Sequence, residues 1–200
     1  MNKIKTSGKM LETLRRSLKR ANTRFRKLTK AQQRVAIAKD VISQVNAEKI
    51  LASSTYFSWG DASFNEEKVA DANLDMSECV SQVQCEVCGI GSLFVGAVRL
   101  ADKLKFADFD SSWSGCRGQE ADYLAQWFDD KQLNLVEDYF ERNNRSEGED
   151  SPIYGEESDD KRLIMIMENI VSNKGRFNPE RGMWKSVPGS GAGSSDEDWG

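Results

Sequence analysis

The chain of 200 residues contains no histidine. Imidazole is the usual general base near neutral pH and the commonest metal ligand, so its absence excludes several classes of site. These are histidine-activated serine or cysteine triads, zinc sites of the HExxH type and iron sites built from two histidines and a carboxylate. An enzyme with this sequence would depend on carboxylates, lysine or a metal held without imidazole. We therefore predict a protein that is not an enzyme and that uses no cofactor.

The sequence also lacks a hydrophobic run of about 18 residues, which a membrane-spanning helix requires. The most apolar stretch, residues 87–100, is shorter and contains three glycines and Arg99. The start of the chain has charges but no apolar core, so it does not have the pattern of a secretory signal. Four cysteines without such a signal favour a reducing compartment. We predict a cytoplasmic protein with no membrane partner, although an Arg-rich, acid-poor start is also typical of a mitochondrial transit peptide.

Charge is divided unevenly along the chain, although the net charge is only -4 and 38% of residues are hydrophobic. Residues 1–30 carry eleven Lys and Arg and one acid, Glu12, whereas residues 31–200 carry 17 bases and 31 acids. A basic arm of net charge +10 thus precedes an acidic body of net charge -14. This division favours a polyanionic or acidic partner for the arm. The alternative is that arm and body neutralise each other, within one chain or between copies.

Hydrophobic periodicity predicts a mainly α fold, with a compact helical domain between the basic arm and an acidic tail. We divide the chain into a helical arm (1–30), a helical globular domain (31–187) and a flexible acidic tail (188–200) in which Gly, Ser and acids dominate. Helices are expected over residues 29–45, 88–104, 120–128, 133–142 and 163–171. The segment 50–59 is predicted to be a short strand or extended, and residues 58–77 a surface loop that could contain one helical turn.

Two helices have particular signals. Thr29 followed by Gln32 is typical of a capping box, and the helix that it starts has four expected core positions, Val35, Val41, Ile42 and Val45. The helix over residues 88–104 combines large apolar residues with three glycines, each of which costs about 0.5 to 1 kcal/mol of helix propensity relative to alanine. We expect close packing against another backbone to compensate for that cost.

The arm has the pattern of an amphipathic helix. Apolar residues recur at steps of three and four and form one seam. The seam consists of Leu11, Leu14, Leu18, Ala21, Phe25 and Leu28. Cationic residues fall off this seam, and they are the residues that we predict to contact nucleic-acid phosphates. They are Arg15, Arg16, Lys19, Arg20, Arg24, Arg26 and Lys27.

Two interpretations of the seam remain open. Phe25 could stack on an unpaired base beside the phosphate-binding cations. Alternatively, the seam is a coiled-coil or docking surface whose charges only keep the helix in solution. The two are compatible if the seam forms a homodimer through Leu11, Leu14, Leu18, Phe25 and Leu28 while the outer face binds nucleic acid.

The cysteines have the spacing C-x5-C-x2-C-x27-C, at Cys79, Cys85, Cys88 and Cys116. Four thiolates can close a tetrahedral zinc site, but such sites usually contain two short Cys pairs and this sequence has one. A redox pair at Cys85 and Cys88 would need a βαβ pattern that is not visible. We predict that the cysteines pack in the core and bind no required metal.

Two other ligand motifs fail in detail. The acids Asp108 and Asp110, with Ser112, are typical of a calcium loop, but Trp113 occupies the position of the required glycine and Gln119 that of the bidentate glutamate. The run GIGSLFVG lacks the third glycine of a dinucleotide-binding turn. These motifs therefore predict neither calcium nor nucleotide binding.

Three blocks of residues 30–180 stand out: QRVAIAKDVISQV, CEVCGIGSLFVGAV and LIMIMENIVSNKGRFNPE. Together they resemble small uncharacterised proteins encoded by bacteriophages and by the bacteria that host them. The resemblance implies a cytoplasmic accessory protein of phage or prophage origin, acting in a bacterial host cell, and it assigns no catalytic residue. The basic arm and the acidic tail lie outside these blocks.

These observations lead to two functional hypotheses. The first is a non-catalytic binding or regulatory protein, related to phage, that contacts nucleic acid through its basic N-terminal helix. The alternative is a protein-directed inhibitor of a host defence or nucleic-acid enzyme. In that case the acidic surface of residues 120–160, with 14 acids and three bases, would occupy a site meant for nucleic acid.

Overall fold

A computed structural model of the chain describes residues 8–60, 75–101, 104–106, 119–141 and 158–179. The fold is mainly helical, as predicted, with a small three-stranded sheet. In the described residues the helices are α1 (Gly8–Phe25), α2 (Lys30–Asn46), α3 (Met76–Gln82), α4 (Gly89–Ala101), α5 (Gln119–Leu124), α6 (Asp130–Glu141) and α7 (Asp159–Ser172). The strands are β1 (Ile50–Ala52), β2 (Ser58–Trp59) and β3 (Cys85–Val87). Among the described helices, none combines the length and hydrophobicity needed to cross a membrane.

Helix α4 is the centre of the core, which confirms the predicted buried helix, although it ends at Ala101 and not at the predicted residue 104. Every residue from 89 to 98 is buried, and α1, α2, α3, α5 and α6 pack around the helix. A Cβ atom at Gly96 would lie 3.0 Å from Val41 Cγ2 and 3.1 Å from the Ile37 carbonyl oxygen. Glycine at this position therefore lets α2 approach closely, which is the compensation expected from the sequence.

Helix α2 begins with the predicted capping box. The Thr29 hydroxyl accepts from Gln32 N at 3.3 Å, and Thr29 N donates to Gln32 Oε1 at 3.0 Å. The predicted core positions are corrected in part, because Val35 and Ile42 are only half-buried. The buried residues are Gln33, Ile37, Ala38, Val41 and Val45. Helix α2 packs against both α4 and α7, so its buried residues are set by two neighbouring helices.

The predicted extended segment 50–59 contributes two strands to the sheet. Strand β3 lies in the middle, with β1 parallel to it (Ile50 opposite Cys85) and β2 antiparallel (Trp59 opposite Cys85). The predicted surface loop over residues 58–77 is wrong at its end, because α3 begins at Met76 and both Met76 and Ser77 are buried. A helix of seven residues is too short to give a clear periodic signal.

The later helices follow their sequence signals with shifted ends. Helix α5 ends at Leu124, short of the predicted residue 128, and Trp127 is buried in the turn that follows. Helix α7 extends the predicted range and ends at the Asn173 cap. At Gly175 φ is +90°, and a Cβ there would lie 2.5 Å from the Ala31 carbonyl oxygen, so this turn requires glycine.

Several predicted features lie outside the described residues. They are the acidic tail over residues 188–200, Cys116, and the residues Asp108, Asp110 and Ser112 of the incomplete calcium-loop motif.

Candidate nucleic-acid interface

Helix α1 docks on the body of its own chain. Its buried residues are Leu18, Asn22 and Phe25, and it packs against α3 and α4. Of the other seam residues, Leu11 and Leu14 are half-buried, whereas Leu28 follows the end of α1 and is 36% exposed. The seam is thus a docking surface over Leu18 and Phe25. The homodimer proposed for this seam stays a prediction, and those two side chains are already covered within one chain.

The end of α1 is fixed by an aromatic and amide contact. Phe25 is 3% exposed, and its ring lies edge-on to Trp127 with 5.8 Å between the ring centroids. Gln33 Nε2 donates to the Phe25 carbonyl at 3.0 Å, and Trp127 Nε1 donates to Gln33 Oε1 at 3.1 Å. The interpretation that Phe25 stacks on an unpaired base is therefore wrong, because its ring is covered by the protein.

Asn22 connects the middle of α1 to the end of α4. Its Nδ2 atom donates to the carbonyls of Leu100, at 3.3 Å, and of Ala101. The last carbonyls of a helix have no partner within the helix, so the Asn22 amide supplies one that they would otherwise lack. The sequence pattern did not predict this role for Asn22. Its only signal is its position beside Ala21 on the buried side of an amphipathic helix.

An ion pair fixes the first half of α1. Arg15 donates through Nε to Glu78 Oε1 and through Nη2 to Glu78 Oε2 at 3.3 Å. The Glu78 side chain is only 4% exposed and also accepts from Asp75 N at 3.3 Å. The hydrogen bond to Glu78, together with the charge of Glu78, raises the pKa of Arg15. Arg15 therefore has a structural role that the sequence did not reveal, and its charge is balanced within the chain.

The predicted phosphate-binding cations separate into two rows along α1 and the turn that follows it. Arg15, Lys19 and Arg26 share one flank, where they line a cavity of about 480 Å³ beside α3. The opposite wall of this cavity consists of Asp75, Glu78 and Lys105. Because Lys105 pairs with Asp75 at 2.6 Å, both signs of charge face the cavity. We call this flank the inner row.

The outer row faces solvent and contains Arg16, Arg20, Arg24 and Lys27, all of them exposed. Arg16 pairs with Glu12, one turn earlier, but both side chains are well exposed and such pairs contribute little. The other three cations of the outer row, like Lys19 and Arg26, form no ion pair with any residue that the structure describes. Helix α1 therefore presents a dense, uncompensated positive charge.

The positive surface continues past the end of α1. Lys30, the first residue of α2, donates to the Gln126 carbonyl at 2.6 Å. Its Nζ atom lies 5.6 Å from the centroid of the Trp127 ring, within the range of a cation–π interaction. Trp127 thus contacts both Phe25 and Lys30. One aromatic residue joins the end of the basic helix to the start of the next.

The cysteines that the structure describes have no features of a reactive site. Cys79, Cys85 and Cys88 are buried free thiols, which confirms core packing for these three. Burial raises the pKa of each thiol to about 12, so all three stay protonated near neutral pH. Within the described ranges no three Cys, Asp or Glu side chains are grouped so that they could hold a metal ion.

Part of the predicted acidic surface is used inside the fold. Asp160 Oδ1 accepts from Ala52 N at 2.8 Å, and Asp159 pairs with Arg162 at 3.0 Å. Glu120 is 5% exposed, and burial raises the pKa of its carboxyl group. Residues 142–157 lie outside the described part of the chain. The described half of this acidic segment therefore exposes fewer charges than its composition indicates.

Comparison of the chain with protein families, with characterised proteins and with solved structures gives no match.

Proposed function

We propose that the protein binds nucleic acid through the outer row of α1 and acts by binding, without catalysis. The observation that carries the proposal is the row itself. Arg20 and Arg24 are exposed on one face of a helix that is anchored on its other face, and Lys27 is exposed in the turn that follows it. None of the three forms an ion pair with another described residue. Phosphate groups are the ligands that an array of such cations recognises without needing a particular base sequence.

The anchoring of α1 supports this proposal. Because Leu18, Asn22 and Phe25 are buried, the helix is held with its cations pointing outward. A helix fixed in this way loses little conformational entropy on binding, so less of the interaction energy is spent on ordering it. The negative charge of the rest of the chain repels a polyanion, which would favour approach from the α1 side.

The buried position of Phe25 defines what kind of contact α1 can make. With the aromatic ring covered, the outer row offers charges and hydrogen-bond donors but no stacking surface of its own. We therefore expect α1 to contact the phosphate backbone and to discriminate poorly between sequences.

The inhibitor hypothesis has less support from the described residues. Three acids of the segment 120–160 are buried or engaged within the fold, as described for Glu120, Asp159 and Asp160, whereas the cations of the outer row are available. An enzyme is also less well supported, because the three described thiols are weak nucleophiles at a pKa of about 12. The phage origin implied by the sequence resemblance stays a prediction.

A salt titration of binding tests the proposal. In the outer-row variant, Arg20, Arg24 and Lys27 are each replaced by Gln, and binding to a duplex DNA and to a single strand is measured at several salt concentrations. The slope of log K against log salt should become less steep by about 2.7 for the duplex and about 2.1 for the single strand, since each lost phosphate contact contributes about 0.9 or 0.7.

The matched control is a variant with Lys39, Lys49 and Lys161 replaced by Gln, which changes the net charge equally at exposed positions on other elements. Its salt slope should equal that of the wild-type protein. Equal slopes for the wild-type protein and the outer-row variant would refute the proposal.

A further inference from the structure

A second cationic surface lies between α6 and the segment that follows α7. We call it the α6–α7 groove. It is a cavity of about 870 Å³, and its lining includes Lys131, Tyr139, Lys174 and Arg176. No sequence pattern predicted a role for these residues, because they come from separate parts of an acidic body.

Two side-chain amides hold the backbone of residues 177 and 178, which line this groove. Gln132 accepts from Phe177 N at 2.8 Å and donates to the Phe177 carbonyl at 3.2 Å. Asn169 does the same for Asn178, accepting from its N–H and donating to its carbonyl, both at 2.8 Å. Each amide thus pairs with the backbone as a neighbouring strand would. The backbone that carries Arg176 is therefore held in place by reciprocal hydrogen bonds.

The three cations of the groove have no anionic partner among the described residues. Lys174 and Arg176 follow the carboxyl end of α7, where a positive charge complements the helix dipole. Lys131 does not fit that explanation, because it lies in the first turn of α6, where the dipole disfavours a cation. Asp129, two residues before Lys131, accepts from Gln132 N at 2.9 Å. The helix dipole therefore explains Lys174 and Arg176 but not Lys131.

The α6–α7 groove is connected to α1 by Arg34. Its Nε atom donates to the Gly175 carbonyl at 2.6 Å, and Nη1 donates to the Trp127 carbonyl at 2.9 Å. Burial, and to a smaller extent the positive charge of Arg176, lowers the pKa of Arg34, so the two guanidinium groups lie close enough to repel each other. Since Trp127 also contacts Phe25 and Lys30, cations extend from α1 through the α1–α2 turn to the groove.

We propose that the α6–α7 groove is a second phosphate-binding site and that it holds the continuation of a single-stranded polynucleotide whose first part lies on the outer row of α1. This inference rests on the proposed function of α1 and names its substrate class. The half-buried Tyr139 supplies what α1 lacks, an aromatic ring in a cationic groove, which is the combination that single strands bind. The pairing of Tyr139 with Phe177, edge-on at 5.3 Å, fixes the orientation of its ring.

The experiment compares two variants on three DNA probes. In the groove variant, Lys131, Lys174 and Arg176 are replaced by Gln; the other variant is the outer-row variant defined above. The probes are a single strand of about 6 nucleotides, one of about 20 nucleotides and a duplex of the longer sequence, chosen because comparable sites cover about 4 to 16 nucleotides. A conservative control (Lys131→Arg, Lys174→Arg and Arg176→Lys) keeps the charge, and thermal melts verify that each variant is folded.

The outer-row variant should weaken binding of every probe. The groove variant should weaken binding of the long single strand by about tenfold and reduce its salt slope by about 2, because three phosphate contacts are lost. Its affinity for the short strand and the duplex should stay within about twofold of wild type, and the conservative control should bind all three normally.

The outcomes separate this inference from the proposed function. If the folded groove variant binds the long strand like wild type, the groove site is refuted while the role of α1 stands. If the groove variant loses duplex binding to the same extent, the assignment to single strands is refuted. If only the groove variant loses affinity and the outer-row variant does not, the proposed function of α1 is refuted and the groove alone binds the strand.

Discussion

Replacing Phe25 with alanine should detach the basic helix without unfolding the rest of the protein. Removing a buried phenylalanine side chain typically costs about 3 to 5 kcal/mol. The docking surface of α1 is small. Burial of Leu18 and Phe25 contributes about 1.5 to 3 kcal/mol each, and the Asn22 hydrogen bonds about 1 kcal/mol each. These contributions sum to about 5 to 8 kcal/mol, so the loss removes about half or more of the energy that docks the helix.

Because the loss is that large, the Phe25→Ala protein should populate a state in which α1 is free and α4 remains packed. Hydrogen exchange measured by mass spectrometry distinguishes the two helices. We expect the amides of α1 to lose their protection while those of α4 keep theirs. The reason is that every residue of α4 from 89 to 98 is buried.

The matched control is Phe25→Leu, which keeps most of the buried volume and should cost less than about 1.5 kcal/mol. In this variant α1 should stay protected, and affinity for nucleic acid should be unchanged because the ring does not reach solvent. The reasoning fails if Phe25→Ala lowers protection equally in α1 and α4, since the helix would then be inseparable from the core. It also fails if Phe25→Leu binds nucleic acid much more weakly while α1 stays docked, since the ring would then contact the ligand.

Three further predictions concern the core. Gly91→Ala should lower the free energy of unfolding, measured in urea, by about 1 to 3 kcal/mol or more, since the new Cβ would lie 1.7 Å from the Tyr56 carbonyl oxygen. This loss is expected although alanine has the better helix propensity. The control Gly8→Ala should cause no loss, because no atom lies within 4 Å of a Cβ at that position. Asp160→Ala should cost about 1 to 3 kcal/mol in the same assay, because Ala52 N loses its acceptor. In a Cys116→Ser background, a thiol reagent at pH 7 should modify no cysteine until the protein unfolds. The free energy of unfolding should also fall as the pH rises from about 9 towards 12, because thiols in the unfolded chain ionise near 9.0 while those in the folded protein stay protonated. Labelling of the native protein would contradict the burial of Cys79, Cys85 and Cys88. A free energy of unfolding that does not change over this pH range would contradict it as well.

The features predicted correctly are those that neighbouring residues determine. The capping box of Thr29 and Gln32 lies within one turn, and the seam of α1 repeats over consecutive turns of one helix, so both are visible in the sequence. The buried helix α4 is equally clear because its apolar residues are contiguous. Local patterns of this kind establish that a helix exists and, in α1, which face it buries, whereas the buried face of α2 was predicted only in part.

The features that were missed depend on residues far apart in the chain. The periodicity of α1 showed that Phe25 belongs to the apolar face, but it could not show that Trp127 covers that face. The same holds for Arg15, whose partner Glu78 lies on a helix of seven residues that has almost no sequence signal. Consequently the sequence indicated the cations of α1 only as a set, and it could not separate Arg15, which holds the helix, from those that face solvent.

The way in which α1 is held also determines how a salt titration is to be interpreted. Salt weakens interactions between exposed charges far more than contacts that are buried. Helix α1 is held mainly by the second kind, namely the Phe25 ring and the Asn22 amide bonds. The Arg15–Glu78 pair is intermediate, because the carboxylate is covered but the Arg15 side chain is half exposed. The cations of the outer row belong to the first kind. Raising the salt concentration should therefore release a bound polyanion well before it releases the helix, so the slope counts phosphate contacts on a helix that stays docked.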